Sequence, residues 1–231
     1  MQVWSDGEQR RDQIFRMEDV NMADPKQPID FWFSIGSTYT YLSVMRLPDV
    51  ARREGLEICW QPFDVRAIMV EQNNIPFRDK PVKAAYMWRD VERRAAGYGL
   101  PFAGIPPYPI KGLSRANRIA LIARDEGWIV PYVQSAYRRW FQRLQEPATD
   151  ESLLEDLAAL GQDARRVIAL ADAPQVDARL QEQTERAKRL GVFGSPTWAV
   201  GDELFWGDDR LDDAIGWLRG TLRVPPRLGS R

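Results

Sequence analysis

The sequence predicts an α/β chain in which one sheet is interrupted by a long helical block. Three observations predict it: a strand–helix–strand unit near the start, a run of helical patterns through the middle, and a strand hairpin followed by a helix near the end. The first strand signal is Ile29-Asp30-Phe31-Trp32-Phe33, bounded by Pro28 and Gly36. A helical pattern follows Ser37-Thr38, with Tyr41, Leu42, Val44, Met45, Leu47, Val50 and Ala51 at apolar spacings. Pro48 is expected to kink or restart that helix. Gly55 is expected to end it, because glycine takes a left-handed cap at little cost. Leu56 to Phe63 (LEICWQPF) reads as the second strand. A strand, a helix and a strand within about 35 residues make a βαβ unit with a parallel pair.

From Asp64 to Leu190 the spacing predicts helices over about 65–71, 80–98, 114–126, 129–144, 150–159, 163–171 and 174–190. Gly104 to Gly112 (GIPPYPIKG) reads as a rigid proline loop. Strands return at 197–200 and 203–206, joined by the hairpin signal Gly201-Asp202. A last helix is expected over about 209–222. The order βαβ, helical block, ββα is that of a thioredoxin-like fold with a large all-helical insertion after the second strand. The expected division is a sheet domain from 29–63 and 191–222, a helical insertion at 64–190, a flexible N-terminal extension at 1–28 and a frayed tail at 223–231.

Composition narrows the function. Apolar residues make up 44% and charged residues 28% of 231, the profile of a globular protein. Lysine plus arginine (32) nearly balances aspartate plus glutamate (33), so charge gives no case for nucleic acid or an acidic membrane. No apolar run reaches the ~18 residues a membrane span needs. Met1 to Met22 carries Asp6, Glu8, Arg10, Arg11 and Asp12 and lacks the apolar stretch of a secretory signal. A cytoplasmic protein is expected. There is one cysteine, Cys59, and no histidine. That excludes an intramolecular disulfide, a CxxC redox pair, a cysteine-rich zinc site, a Ser-His-Asp triad, a Cys-His dyad and an HExxH site. No metal is expected. Any general acid or base must be a carboxylate, a lysine, a tyrosine or something borrowed. Cys59, between Ile58 and Trp60, reads as a core residue.

Three segments hold candidate chemistry. In thioredoxin-like folds the reactive group sits where the first strand feeds the first helix, because free N–H groups and partial positive charge there stabilise an anion. Ser34-Ile35-Gly36-Ser37-Thr38-Tyr39 fills that place with hydroxyls and no thiol. Without a histidine a serine is a poor nucleophile, but it can donate a hydrogen bond to a borrowed thiolate. Equally, Ser37 or Thr38 can be a simple helix N-cap. The second segment is Gly191-Val192-Phe193-Gly194-Ser195-Pro196-Thr197, where a proline entering a strand suggests a cis bond. Ser195 would then offer its backbone to an extended, peptide-like ligand, unless this is an ordinary turn. The third is Phe205-Trp206-Gly207-Asp208-Asp209-Arg210-Leu211. Its aspartates are either a helix cap or carboxylates for a ligand ammonium.

Together these segments resemble one family. Asp30-Phe31-Trp32-Phe33-Ser34-Ile35-Gly36-Ser37-Thr38-Tyr39-Thr40-Tyr41-Leu42, the GVFGSPT turn and FWGDDRL look like 2-hydroxychromene-2-carboxylate isomerases. These are kin to kappa-class glutathione transferases and, more distantly, to the DsbA disulfide oxidoreductases. In the insertion, Lys80-Pro81-Val82-Lys83-Ala84-Ala85-Tyr86, Asp90 through Arg93, and Gly99-Leu100-Pro101 match the family's PxKxxY…DxxR…GxP pattern. The resemblance covers residues 29–220.

The resemblance implies a glutathione-dependent cis–trans isomerase of aromatic catabolism, with glutathione as cofactor, a small aromatic substrate and a homodimer. Carried over residue by residue, Ser37 hydrogen-bonds the glutathione sulfur. Ser195, beside cis-Pro196, pairs with the cysteinyl backbone. Asp208 and Asp209 hold the γ-glutamyl end, and Asn73 lies near the ligand. Lys83 falls at a family lysine and is the first candidate for the substrate carboxylate. Two positions depart from the family: Thr38 stands for a proline and Ser34 for an aspartate. The alternatives are a kappa-like transferase or a non-catalytic thioredoxin-fold binding protein. Trp88, Trp128, Trp140 and Trp217 read as packing. Arg138-Arg139 with Arg143, and Arg93-Arg94 by default, read as solvated helix faces.

Overall fold

The computed structural model describes residues 27–75, 77 and 79–224. The expected extension at 1–28 and tail at 223–231 therefore fall almost wholly outside the described residues. Four strands, β1 (Ile29–Phe33), β2 (Ile58–Pro62), β3 (Thr197–Val200) and β4 (Glu203–Trp206), form one sheet in the order β2-β1-β3-β4. β1 and β2 run parallel, from Ile29 opposite Ile58 to Phe33 opposite Pro62. β3 lies antiparallel to β1 and to β4. This is the expected α/β thioredoxin-like sheet.

Alternation along β1 builds two cores, because successive strand residues face opposite sides. Phe31 and Phe33 point to one side, where Phe31 stacks on Trp198 at 4.5 Å and meets Trp60 edge-on at 5.0 Å. Trp32 points to the other side, among Phe63, Val65, Ile68, Ala187, Val192 and Ala199. α1 (Thr40–Glu54) and most insertion helices cover the first side. These are α3 (Pro81–Gly97), α4 (Leu113–Asp125), α5 (Ile129–Gln142), α6 (Asp150–Ala159) and α7 (Ala164–Ala171). α2 (Val65–Glu71) and α8 (Pro174–Arg189) close the second. So the long helix that ends the insertion roofs the sheet. Trp88, Trp128 and Trp140 are buried, as their helical spacing predicts.

Four local expectations need correction. α1 continues through Pro48 as one helix, without a restart. Proline cannot donate to the Val44 carbonyl one turn back, and the Gln134 amide donates to it instead at 3.3 Å. The last helix is divided into a 3₁₀ turn at Asp208–Arg210 and α9 (Leu211–Leu218), ending ahead of left-handed Gly220. Cys59 is half-buried, not core, because β2 is the sheet's edge strand. Its thiol is pushed up by burial and by Asp30. Arg139 is no solvated residue: it is buried and forks onto Asp156 with two bonds of 2.7 Å. Among the described residues, no helix is long and apolar enough to cross a membrane.

Candidate functional site

The site is built where β1 ends. Gly36 takes φ 116, and a Cβ there would lie 2.5 Å from Leu113 Cδ1. Only glycine fits both the conformation and the approach. The turn it forms brings the Ser37 N–H to the Ser34 carbonyl at 3.1 Å. α1 begins three residues after Ser37, and its N-cap Tyr39 makes no side-chain cap bond. Neither Ser37 nor Thr38 caps the helix. The Ser37 hydroxyl instead donates to the Ser195 carbonyl at 2.6 Å.

The Ser195–Pro196 bond is cis, as its sequence setting suggests. The Ser195 hydroxyl accepts from the Ser34 N–H at 2.9 Å and lies 2.8 Å from Thr40 Oγ1. The two turns are thus joined on both sides of Ser195. The insertion supplies the outer supports. Asn117 of α4 accepts from the Ile35 N–H at 2.8 Å and donates to Ser34 Oγ at 3.1 Å and to the Leu113 carbonyl at 2.9 Å. Tyr137 of α5 donates toward the carbonyls of Ser34 (3.1 Å) and Ser37 (3.0 Å). Burial pushes the Tyr137 phenol up. Ser34, where the family resemblance leads one to look for an aspartate, is a fully buried member of this network.

The second turn follows β4. Gly207 has φ 126; its N–H donates to the Pro196 carbonyl at 2.9 Å, and its own carbonyl accepts from Trp198 Nε1 at 2.9 Å. Asp208 and Asp209 then diverge. The Asp208 side chain is 1% exposed. Its Oδ1 accepts from Ser43 Oγ at 2.9 Å and from Arg46 at 3.1 Å, and its Oδ2 accepts from Arg94 at 2.8 Å. That carboxylate is already paired with two guanidinium groups. The Asp209 side chain is 48% exposed and touches only the equally open Arg210 at 3.2 Å among the described ion pairs.

The remaining candidates lie on the insertion. Asn73 is exposed in the loop after α2, with left-handed φ 50. Lys83 is exposed in the first turn of α3, 5.9 Å from the Phe77 ring centre. Among the described residues, neither shares a hydrogen bond with the hydroxyl cluster. The proline loop stands beside the Gly36 turn, since Ile110 lies 3.9 Å from the Cβ position of Gly36. It presents Tyr108, whose ring meets Trp88 edge-on at 5.4 Å and Phe77 at 6.3 Å. Two clefts of about 250 and 170 Å³ lie along α8 and share no lining residue with the cluster.

Several supporting residues were not legible as such in the sequence. Asn117 carried one signal, a polar residue on the apolar row Ala116, Ile119, Ala120. Ser43, Arg46 and Arg94 carried none beyond the motif position of the Arg93-Arg94 pair. Arg94 corrects the expectation of a solvated face, since it crosses to Asp208, whereas Arg93 stays exposed and pairs with Asp90 at 3.0 Å. The motif residues of the insertion turn out to be seams: Tyr39 donates to Asp90 at 2.9 Å and Tyr41 donates to the Pro101 carbonyl. Burial first, then the bond to Asp90, pushes the Tyr39 phenol up.

Residues 28–215 match the model of the DSBA-like thioredoxin domain. The chain is 32% identical over 193 residues to 2-hydroxychromene-2-carboxylate isomerase of Sphingobium xenophagum, covering 82% of this chain and 97% of that protein. It is 24% identical to glutathione S-transferase kappa 1 of Caenorhabditis elegans, over 88% of this chain and 96% of that protein. A solved 2-hydroxychromene-2-carboxylate isomerase superposes with a TM-score of 0.74 at 28% identity, covering 84% of this chain and 96% of that one.

Proposed function

Because the chain belongs to the DsbA-like thioredoxin family, and within it to the 2-hydroxychromene-2-carboxylate isomerases, we propose that it is a glutathione-dependent cis–trans isomerase acting on a small aromatic carboxylate. The observation that carries this reading is the Ser37 hydroxyl, set one turn before α1 and facing the Ser195–Pro196 turn, in a chain with no histidine and no cysteine nearby. The residues fit the cofactor. The Ser195 carbonyl is an acceptor for a backbone N–H of a peptide-like ligand, and Asp209 is an open carboxylate for its ammonium. Bound there, glutathione supplies the thiolate the chain lacks, able to add reversibly to a conjugated carbon so that a double bond becomes free to rotate.

The chain's own residues do the rest. The Ser37 hydroxyl sits on the same Ser195 carbonyl, and rotation of the hydroxyl off that carbonyl turns it to the sulfur while a ligand N–H takes its place. A free thiol has a pKa near ~8.5, and holding it about two units lower needs ~2.7 kcal/mol. A hydroxyl bond to a charged group supplies about 1.5–3 kcal/mol, and the start of α1 about 0.3–1 kcal/mol. The sum suffices without a histidine. Lys83 attracts the substrate carboxylate, Asn73 contacts ligand at the rim, and the Tyr108 face receives the ring. We also propose a homodimer working in the cytoplasm, where glutathione is held reduced.

The test is a product assay with 2-hydroxychromene-2-carboxylate. The expected result is conversion to the trans-opened isomer, dependent on glutathione but without consuming it. A product that retains glutathione would support instead a kappa-like transferase, the second reading that the kappa relative favours. Neither product, with no glutathione binding, would leave the non-catalytic binding protein.

A further inference from the structure

Asp208 is buried, while its two cationic partners are only partly covered. Two cations converge on one carboxylate, yet they come from different parts of the chain. Arg46 belongs to α1, the helix that follows the Ser37 turn, and holds Oδ1 at 3.1 Å and the Asp208 carbonyl at 2.6 Å. Arg94 belongs to α3 of the insertion and is the described donor to Oδ2, at 2.8 Å. Its guanidinium also donates to the Tyr98 hydroxyl at 2.9 Å and sits 5.6 Å from that ring's centre, with Arg46 4.5 Å from the same centre. Among the described residues, Asp208 and Tyr98 are the hydrogen-bond partners that orient this guanidinium.

What this orientation controls is the next residue. The Asp209 carboxylate folds back over Gly207, so that a Cβ on Gly207 would meet Asp209 Oδ1 at 2.5 Å. The place of that carboxylate is therefore set by the backbone of a 3₁₀ turn three residues long, Asp208–Arg210. Such a turn has little internal hydrogen bonding to hold it. Its described anchors are the Gly207 bonds to Pro196 and Trp198 on one side and the Asp208 clamp on the other.

We propose that Arg94 is a positioning residue for the cofactor. By fixing Asp208 it holds Asp209 where the γ-glutamyl ammonium binds, and it ties that turn to α3, the helix that also carries Lys83. This rests on the glutathione reading above. Arg94 touches neither cofactor nor substrate and acts through Asp208 and Asp209. Removing the guanidinium takes from Oδ2 of Asp208 its charged partner, and the turn then relaxes toward Arg46 with Asp209 out of place.

The test is a cycle of calorimetric glutathione titrations on the full chain: wild type, Arg94→Gln, Asp209→Asn and the double variant, with Arg94→Lys alongside. Residues acting through one another give non-additive effects. Arg94→Gln is expected to weaken glutathione about tenfold in the wild-type background but less than about twofold in the Asp209→Asn background. Turnover at saturating glutathione should change less than about twofold, and Arg94→Lys should recover most of the affinity, because it restores a charged partner to Oδ2. Full affinity in Arg94→Gln, or a loss that multiplies unchanged in the Asp209→Asn background, overturns the proposal while leaving the glutathione reading intact. If Arg94→Gln does not fold, Arg94→Lys carries the same cycle, with a loss of about threefold expected to vanish in the Asp209→Asn background. A wild type that binds no glutathione overturns both readings at once.

Discussion

The Ser37 turn at Ser34–Tyr39 and the acid turn at Gly207–Arg210 solve one problem by different means. Both follow a strand, both need a glycine with φ above 100, Gly36 at 116 and Gly207 at 126, and both bury polar groups. The first is held by neutral bonds among Ser34, Ser195, Thr40, Asn117 and Tyr137. The second is held by charge, with Asp208 between Arg46 and Arg94. Neutral networks keep their strength across pH and salt, whereas a buried ion pair is costly to break from either side. The acid turn exposes its second carboxylate and buries its first. The Ser37 turn leaves one half-buried hydroxyl on the Ser195 carbonyl.

Breaking the charged turn should cost the most. Asp208→Ala removes the partner of two guanidinium groups and is expected to destabilise the fold by about 3 kcal/mol, the lower end for a broken buried pair because both arginines reach partial solvent. Asp208→Asn should cost less, since it still offers one acceptor. Chemical denaturation of the two variants measures both, and equal wild-type stability in Asp208→Ala would remove the clamp from the account. Breaking the neutral network comes next. Asn117→Ala leaves the Ile35 N–H and the Ser34 hydroxyl without their partner, an expected loss of about 2–3 kcal/mol by the same measurement. Unlike the Asp208 variants, it should show a deficit insensitive to salt.

The thioredoxin-like order, the helical insertion and the ends of most helices were readable because each rests on local rules: alternation in β1, the glycine after α1, the hairpin at Gly201-Asp202. Local sequence only suggested the cis bond at Ser195–Pro196, with an ordinary turn as the alternative, and gave no sign of the one at Tyr108–Pro109. What could not be read is where long-range bonds go. Nothing local tells that Gln134 supplies the bond Pro48 cannot make, or that Arg139 is buried on Asp156. Adjacent Asp208 and Asp209 look alike in sequence. They differ because one points at α1 and α3 and the other at solvent, a distinction made by residues more than a hundred positions away.

Smaller effects sharpen the comparison on the ligand side. Ser37→Ala removes only one of the bonds that join the two turns, the part-buried one to the Ser195 carbonyl. Stability should change by less than about 1 kcal/mol, while kcat/KM for the isomerisation should fall about 10- to 100-fold, from the loss of ~1.5–3 kcal/mol at the sulfur. A stability loss as large as that of Asn117→Ala would make Ser37 a structural residue. Lys83→Ala should have the smallest effect, a rise of about threefold in substrate KM with kcat kept, because an exposed cation contributes under ~1 kcal/mol. Steady-state kinetics separate it from Ser37→Ala, which acts on turnover.

The central claim is that the chain borrows a thiol and Ser37 holds it ionised. Burial drives the Tyr39 and Tyr137 phenols upward, and the chain has no histidine, so the thiol should be the group that sets the acid limb. The most direct measurement is the pH titration of thiolate absorbance for glutathione bound to wild type and to Ser37→Ala. The account predicts a wild-type midpoint about two units below the free value of ~8.5, returning most of the way in Ser37→Ala. A bound thiol that titrates like free glutathione in both proteins would contradict it.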